Sequence, residues 1–358
     1  MYNSALEILN ILHDNGFEAF IVGGFVRDKL LGINNEDVDI ITSATPEDIS
    51  NVFHINITDN YGSIKFNYNN YNYDITTFRK ESNYIDNRRP NNIEYVNSVK
   101  EDLKRRDFTI NTILIDKDGN YVDYLNGIDD LNNKLIKSVG DADVKIKEDS
   151  LRILRALRFM TLYNFTLEDS LLSSIKDNKD LISNLSFDRI KKELDIIFTS
   201  SNVNLFFDMI SNIDLYKTLK IKHKNSVIPT NNNLSIWAQL EFEDVYNFSN
   251  KEKIYINNLK EILKSGINNY TVYKYGIIIN KDANKILKSN IDIDDIYDNL
   301  QIKSKEDIDI TYDKILNIVK NKNIINKIYV DLEMLLVYNK LKNQYKDIIS
   351  YLEGEYNE

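Results

Sequence analysis

The first 140 residues or so mix short apolar runs with alternating stretches, and the remainder repeats apolar positions at helical spacing, so the chain predicts a mixed α/β portion followed by a helical one. Residues 17–22 read as a first strand. They run into Gly23-Gly24 and a short helical stretch over 26–31 that Gly32 stops. Residues 37–41 alternate as a second strand, and Ile64-Phe66-Tyr68 with Tyr71-Tyr73-Ile75 reads as a hairpin turned at Asn69-Asn70. From Lys147 onward the apolar residues follow a helix, in 151–162, 190–198, 254–263 and 315–341, with no strong strand signal. The asparagine-rich stretches 224–233 and 289–295 are candidate connectors, and no internal repeat stands out.

The length, 358 residues, exceeds what one core usually covers, which predicts two or more domains. A hydrophobic share of 42% against 28% charged residues argues for a folded chain. Cysteine is absent, which excludes thiolate metal sites and thiol catalysis, and the scattered His13, His54 and His223 make a histidine-built metal site improbable. No apolar run approaches the roughly 18 residues of a membrane helix. The first ten residues carry no export pattern, so a cytoplasmic enzyme is expected.

A net charge of −10 would ordinarily speak against a nucleic-acid partner. The arginines qualify that. All of them fall between positions 27 and 189, and the rest of the chain uses lysine alone. A planar guanidinium makes two-point contacts to phosphates and base edges that lysine cannot copy.

Three clusters carry candidate chemistry. Gly23-Gly24 at a strand end lets backbone N–H groups approach an oxyanion, and Arg27 one turn on is placed to clamp a phosphate; a plain tight turn would read the same in isolation. Asp37 and Asp39, two apart, share a face, where like charges need a proton or a hard cation such as Mg²⁺; a solvated acidic edge is the alternative. Asp149, Arg152, Arg155 and Arg158 step by three along a predicted helix, opposite Ile153, Leu154, Leu157 and Met160. Cytosine and adenine both present an amino donor beside a ring acceptor. Asp149 and Arg152 would complement that edge and reject uracil and guanine, whereas a solvated basic stripe is the bland alternative.

The run Gly23-Gly24-x-Val26-Arg27-Asp28-x-Leu30-Leu31-Gly32 followed by Asp37-x-Asp39 resembles the head-domain signature of the nucleotidyltransferase superfamily. Specifically, it is similar to class II tRNA nucleotidyltransferases, the CCA-adding enzymes, and their bacterial poly(A) polymerase relatives. Residues 73–79, 101–111, 123–131 and 148–159 match further family motifs in order, so the resemblance spans about the first 200 residues. It implies an α+β fold: a nucleotidyltransferase head with a mixed β-sheet over 1–138, then an all-α neck over 139–200, body over 201–280 and tail over 281–358.

The resemblance further implies CTP and ATP as substrates, tRNA as partner, and two Mg²⁺ ions on Asp37 and Asp39 that activate the primer 3′-hydroxyl and neutralise the departing pyrophosphate. Asp74 is the candidate third carboxylate, or else pairs with Arg79 or another nearby base. Gly24, Arg27 and Arg106 would meet the triphosphate, and Asp107 the ribose. Asp149 and Arg152 would read the base, with Arg155 and Arg158 supporting them or touching phosphate.

Residues 81–92, with Tyr84, Asp86, Arg88, Arg89 and Pro90, resemble the family's flexible loop associated with adenosine addition, which favours full CCA or A addition. The helical half would hold the acceptor arm of tRNA by shape and phosphate contact, with lysines 191, 192, 251, 253, 320, 322 and 327 available. Its single histidine, His223, speaks against an added His-Asp phosphohydrolase domain. The alternatives are A-only addition, a poly(A) polymerase acting on general RNA ends, a non-catalytic tRNA-binding protein, and transfer to a small molecule.

Overall fold

The computed structural model describes residues 1–55, 62–85, 89–222 and 226–356, and the chain forms two compact units, Met1–Lys220 and Ile221–Glu358. His223 lies outside the described residues. In the first unit α1 (Tyr2–Asp14), β1 (Ala19–Val22), α2 (Gly24–Leu30), β2 (Asp39–Thr42), α3 (Pro46–Phe53), β3 (Ser63–Tyr68) and β4 (Tyr71–Thr77) come first. A separate hairpin, β5 (Arg79–Ile85) and β6 (Arg89–Tyr95), precedes α4 (Val99–Leu103), β7 (Leu114–Ile115), β8 (Tyr121–Val122), α5 (Gly127–Asn132) and β9 (Leu135–Ile136). Then follow α6 (Ala142–Glu148), α7 (Leu151–Tyr163), β10 (Thr166–Leu167), α8 (Asp169–Asn178), α9 (Phe187–Ile197) and α10 (Val203–Asn212).

The main sheet has the order β3-β4-β2-β1-β7-β8 and is mixed: β2 and β4 run parallel, and every other neighbouring pair is antiparallel. Its centre is apolar for a sequence reason. Val22, Ile41 and Leu114 from three strands meet Phe78, Val99 and Leu103, all buried. Behind it α7 packs on α9 and α10 through Ile153, Leu154, Leu157 and their neighbours.

The hairpin at Asn69-Asn70 forms as expected, with φ of 49° and 66°, values that asparagine tolerates better than most residues. Several boundaries differ from the periodicity. The first strand starts at Ala19, not at 17, because the Phe17 N–H is taken by the Leu12 carbonyl closing α1. Helix α2 starts at Gly24, since the Arg27 N–H already reaches the Gly23 carbonyl.

The second strand starts at Asp39 rather than Asp37. The Asp37 N–H is caught by Asn35 Oδ1 at 2.9 Å, and β1 ends at Val22, opposite Asp39, where Gly23 turns away. Much of 81–92 is ordered as the β5–β6 ladder, from Arg79 opposite Tyr95 to Ile85 opposite Arg89, and not a loop. Asp86 and Arg88, and the side chains of Tyr84, Arg89 and Pro90, lie outside the described part.

The second unit comprises β11 (Ile221–Lys222), α11 (Leu234–Gln239), β12 (Glu241–Phe242), α12 (Asn250–Ser265), α13 (Asn269–Tyr275), α14 (Ile277–Leu287), α15 (Ile293–Asp298), α16 (Tyr312–Val319), α17 (Ile325–Val337) and α18 (Tyr345–Tyr356). Its larger core gathers Val272, Ile315, Ile328, Leu332, Leu336 and Ile348. The short pairs β9 with β10 and β11 with β12 qualify the all-helical expectation; two-residue strands are too brief to leave a period of two in the sequence. Among the described residues no helix is long and apolar enough to cross a membrane.

Candidate active site

Gly23 sits at φ +82°, a conformation that L side chains rarely adopt. A Cβ there would stand 3.4 Å from Asp39 Oδ2 and 3.7 Å from Arg106 Nη1. The turn therefore lays bare backbone beside one carboxylate and one guanidinium.

Asp37 and Asp39 alternate with the buried Val38 and Ile40, so both carboxylates face away from the core although only Asp39 belongs to β2. The parallel β2–β4 register puts Asp74 directly beside Asp39. Asp74 accepts from Ser63 Oγ and lies 3.4 Å from Lys65 Nζ, so its basic partner is Lys65 rather than Arg79.

The Asp39 side chain is open on one side, but protein atoms crowd the other. That crowding, then the Asp37 charge, and further on Asp74, push its pKa up to about 6 against the opposing pull of Arg106 and Lys65. Like-charged oxygens held together at a cost suit a hard divalent cation, which would remove that repulsion. No group of three or more possible metal ligands converges among the described residues.

Arg106 lies beside the same turn as Asp39, its side chain 16% exposed. Its Nη2 is 3.5 Å from Asp102 Oδ2, and among the described residues its Nε has no hydrogen-bond partner. Burial pushes its pKa down, with Asp102 and Asp39 opposing. Arg27, by contrast, spends its donors within the protein. Its Nε and Nη2 reach Asp28 Oδ1 at 2.9 and 2.8 Å and its Nη1 donates to Asn111 Oδ1 at 2.6 Å. The guanidinium also lies near the rings of Phe159 and Tyr163, 4.8 and 4.9 Å from their centroids. Gly24 is adjacent: a Cβ there would meet Arg27 Nη2 and Asn35 Nδ2, each at 3.6 Å.

Asp107 is saturated too. Its Oδ1 accepts from the Phe108 N–H at 2.8 Å and Asn111 Nδ2 at 2.9 Å, and its Oδ2 from Arg155 Nε and Nη2 at 2.7 and 2.5 Å. Burial alone would raise its pKa, but Arg155, Asn111 and that N–H hold it well below the usual carboxylate range.

The arginine ladder is arranged differently from a packed face opposite a reading face. Asp149 precedes α7, accepting from the Leu151 N–H at 3.0 Å, and burial raises its pKa. Arg152 is itself buried and donates to the Lys145 carbonyl, Glu148 Oε2 and the Arg105 carbonyl at 2.9, 3.0 and 2.9 Å. Arg155 is fixed by Asp107, and Arg158 lies 2.9 Å from the buried Glu193 of α9. The side that periodicity left to solvent is thus covered by acids and carbonyls from elsewhere in the unit.

Structural reasoning adds residues that periodicity did not single out. Asp28, besides holding Arg27, accepts from Tyr163 Oη at 2.8 Å and Asn35 Nδ2 at 2.7 Å. Asn111 bridges Arg27 and Asp107, and Glu193 backs Arg158. Asp28 and Asn111 sat inside recognisable motifs; Glu193, some 35 residues from its partner in sequence, carried no signal.

A mixed sheet with a glycine turn beside an aspartate at the start of a central strand fits a nucleotidyltransferase head, and the comparisons agree. Residues 19–137 match the poly A polymerase head domain, and residues 164–222 match the domain described as the probable RNA and SrmB-binding site of polymerase A. The chain is 34% identical to the CCA-adding enzyme of Staphylococcus haemolyticus, covering 99% of this chain and 98% of that one. It is 45% identical to the CCA-adding enzyme of Lactobacillus helveticus over 54% of this chain and 49% of that one.

Its fold matches the Bacillus stearothermophilus CCA-adding enzyme solved in complex with CTP, with a TM-score of 0.83 at 22% identity over 99% and 97% of the two chains. It also matches the Thermotoga maritima CCA-adding enzyme complexed with tRNA, at a TM-score of 0.71 and 18% identity over 98% and 94%. The chain belongs to the family of CCA-adding enzymes and is an RNA nucleotidyltransferase. Membership of that family implies a divalent metal.

Proposed function

We propose that the protein adds CCA to the 3′ end of tRNA from CTP and ATP, without a nucleic-acid template and with release of pyrophosphate. The observation that carries this reading is the convergence of Asp39, Gly23 and Arg106 within one small space. Head, neck, body and tail would occupy residues 1–138, 139–200, 201–280 and 281–358.

Asp37 and Asp39 would hold Mg²⁺, which supplies the charge that acidifies the primer hydroxyl and stabilises the leaving pyrophosphate. The raised pKa of Asp39 fits this donor set, since a cation replaces the proton that crowding favours. Arg106, whose Nε is unpartnered among the described residues, offers donors to the triphosphate, and the bare backbone of Gly23 and Gly24 admits its oxygens. Arg27 and Asp107 would reach a ligand only by sharing donors or acceptors with Asp28, Asn111 and Arg155.

Asp149 retains an oxygen beyond the Leu151 contact and would accept from the exocyclic amino group of cytosine or adenine. Arg152 would turn part of its guanidinium toward the ring nitrogen, with Arg155 and Arg158 held behind it. Purified enzyme given tRNA lacking CCA should incorporate CTP. ATP incorporation in long runs with no use of CTP would instead point to a poly(A) polymerase. Asp37→Ala and Asp39→Ala should each abolish incorporation; unchanged cellular function in both would favour a non-catalytic tRNA-binding protein.

A further inference from the structure

Arg106 stands between two carboxylates. Asp39 is in front, across the space beside Gly23, and Asp102 is behind. Asp102 is fully buried and its two oxygens have different duties. Oδ1 accepts from the Arg79 N–H at 3.1 Å and from Arg105 Nε at 2.9 Å, which ties the first residue of β5 to α4. Among the described residues Oδ2 makes no hydrogen bond, and it faces Arg106 in a 3.5 Å ion pair. A buried carboxylate oxygen and a buried guanidinium nitrogen within one ion pair, each without a hydrogen bond among the described residues, are costly in a protein interior. The arrangement is intelligible if Arg106 is held in reserve.

We infer that Asp102 is a positioning residue: it holds Arg106 back from Asp39 and in the pose that receives the triphosphate. This rests on the reading that Arg106 meets the triphosphate. Without the charge behind it, Arg106 closes on Asp39, the nearest remaining carboxylate, and forms an ion pair that withdraws both groups from the incoming nucleotide. Because the triphosphate is common to CTP and ATP, the loss falls equally on the two.

Asp102→Asn isolates the effect. The amide oxygen keeps the contacts of Oδ1 with Arg79 and Arg105, and an NH₂ group replaces Oδ2 opposite Arg106. The test is a cycle of wild type, Asp102→Asn, Arg106→Gln and the double variant, with kcat and KM measured for CTP and ATP. Asp102→Asn is expected to raise KM for both nucleotides by the same factor, about tenfold, with kcat nearly unchanged, and to add nothing in the Arg106→Gln background.

An unchanged KM in Asp102→Asn, or a rise that persists undiminished in the Arg106→Gln background, overturns the inference while leaving the triphosphate reading in place. If Arg106→Gln itself leaves KM unaltered, the triphosphate reading falls and the inference with it. Should Asp102→Asn not fold, Asp102→Ser removes the same charge, leaves a hydroxyl for the Arg79 N–H, and is judged by the same cycle.

Discussion

Asp39 carries two opposed demands, because the surroundings that raise its pKa to about 6 from 3.8 also make it a good cation ligand. Its sign is fixed: a carboxyl whose folded pKa is raised favours the folded state while protonated. In cation-free protein that contribution is full below about pH 4 and is lost as pH rises through about 6. Asp39→Asn removes the ionisation. Thermal melts without divalent cation should therefore show the variant gaining on wild type between pH 4 and 8. Adding Mg²⁺ at pH 8 should raise the melting temperature of wild type but not of the variant. Equal responses to Mg²⁺ would place the cation elsewhere.

The pH dependence of activity follows from the same group. Nucleotide incorporation should fall below about pH 6 as the proton competes for Asp39, and more Mg²⁺ should move the fall to lower pH. A profile flat through pH 5 at limiting Mg²⁺ would remove Asp39 from the cation site. The glycine turn with Asp39 beside it was legible early, since Gly23, Gly24 and Asp39 are close in sequence and meet at adjoining strand ends. The partners of Arg106 and Arg155 were not, because a buried ion pair leaves no periodic trace.

Between elements, two contacts hold the segment before β7, one to α7 and one to α5. Asp107, at the start of the segment before β7, pairs with Arg155 at 2.5 Å. Asp107 is buried while the Arg155 side chain is 32% exposed, so Asp107→Asn should destabilise by about 2 kcal/mol, measured by urea unfolding near pH 7. The folded pKa of Asp107 is depressed, so the wild-type advantage is present above about pH 4 and fades only as the pH falls well below that. A cost below about 1 kcal/mol would mean the pair is solvent-screened.

Gly127 is the second contact. A Cβ there would lie 2.3 Å from the Thr109 carbonyl oxygen, a backbone atom that cannot rotate away. Gly127→Ala should cost about 2 kcal/mol or more by the same assay, and a neutral substitution would show that α5 shifts freely. At this scale the hairpin at Asn69-Asn70 was readable from a two-residue turn flanked by alternating positions. The start of β2 was missed because a side chain, Asn35 Oδ1, claimed the Asp37 N–H, and the β5–β6 ladder because polar residues in a paired, exposed strand resemble a loop.

At the scale of the molecule the net charge of −10 misleads about partners, because charge acts where it is placed. Seven of the ten arginines have described side chains in contact with acids or carbonyls or beside the glycine turn, namely Arg27, Arg79, Arg105, Arg106, Arg152, Arg155 and Arg158. Lys191, one of the lysines considered for RNA, is buried and paired with Asp195 at 2.8 Å, so it serves the fold of α9. Binding of tRNA through the remaining cations should weaken steeply with salt, by about 10³-fold between 50 and 200 mM if roughly six phosphates are neutralised. Salt-insensitive binding would argue against a phosphate-led interface.

The most direct measurement is the order of nucleotide use on one substrate. With tRNA lacking its last three residues, the account predicts that CTP alone is incorporated, that ATP alone is not, and that ATP joins only after CTP has been added. Incorporation of ATP in the absence of CTP, with CTP left unused, would contradict it.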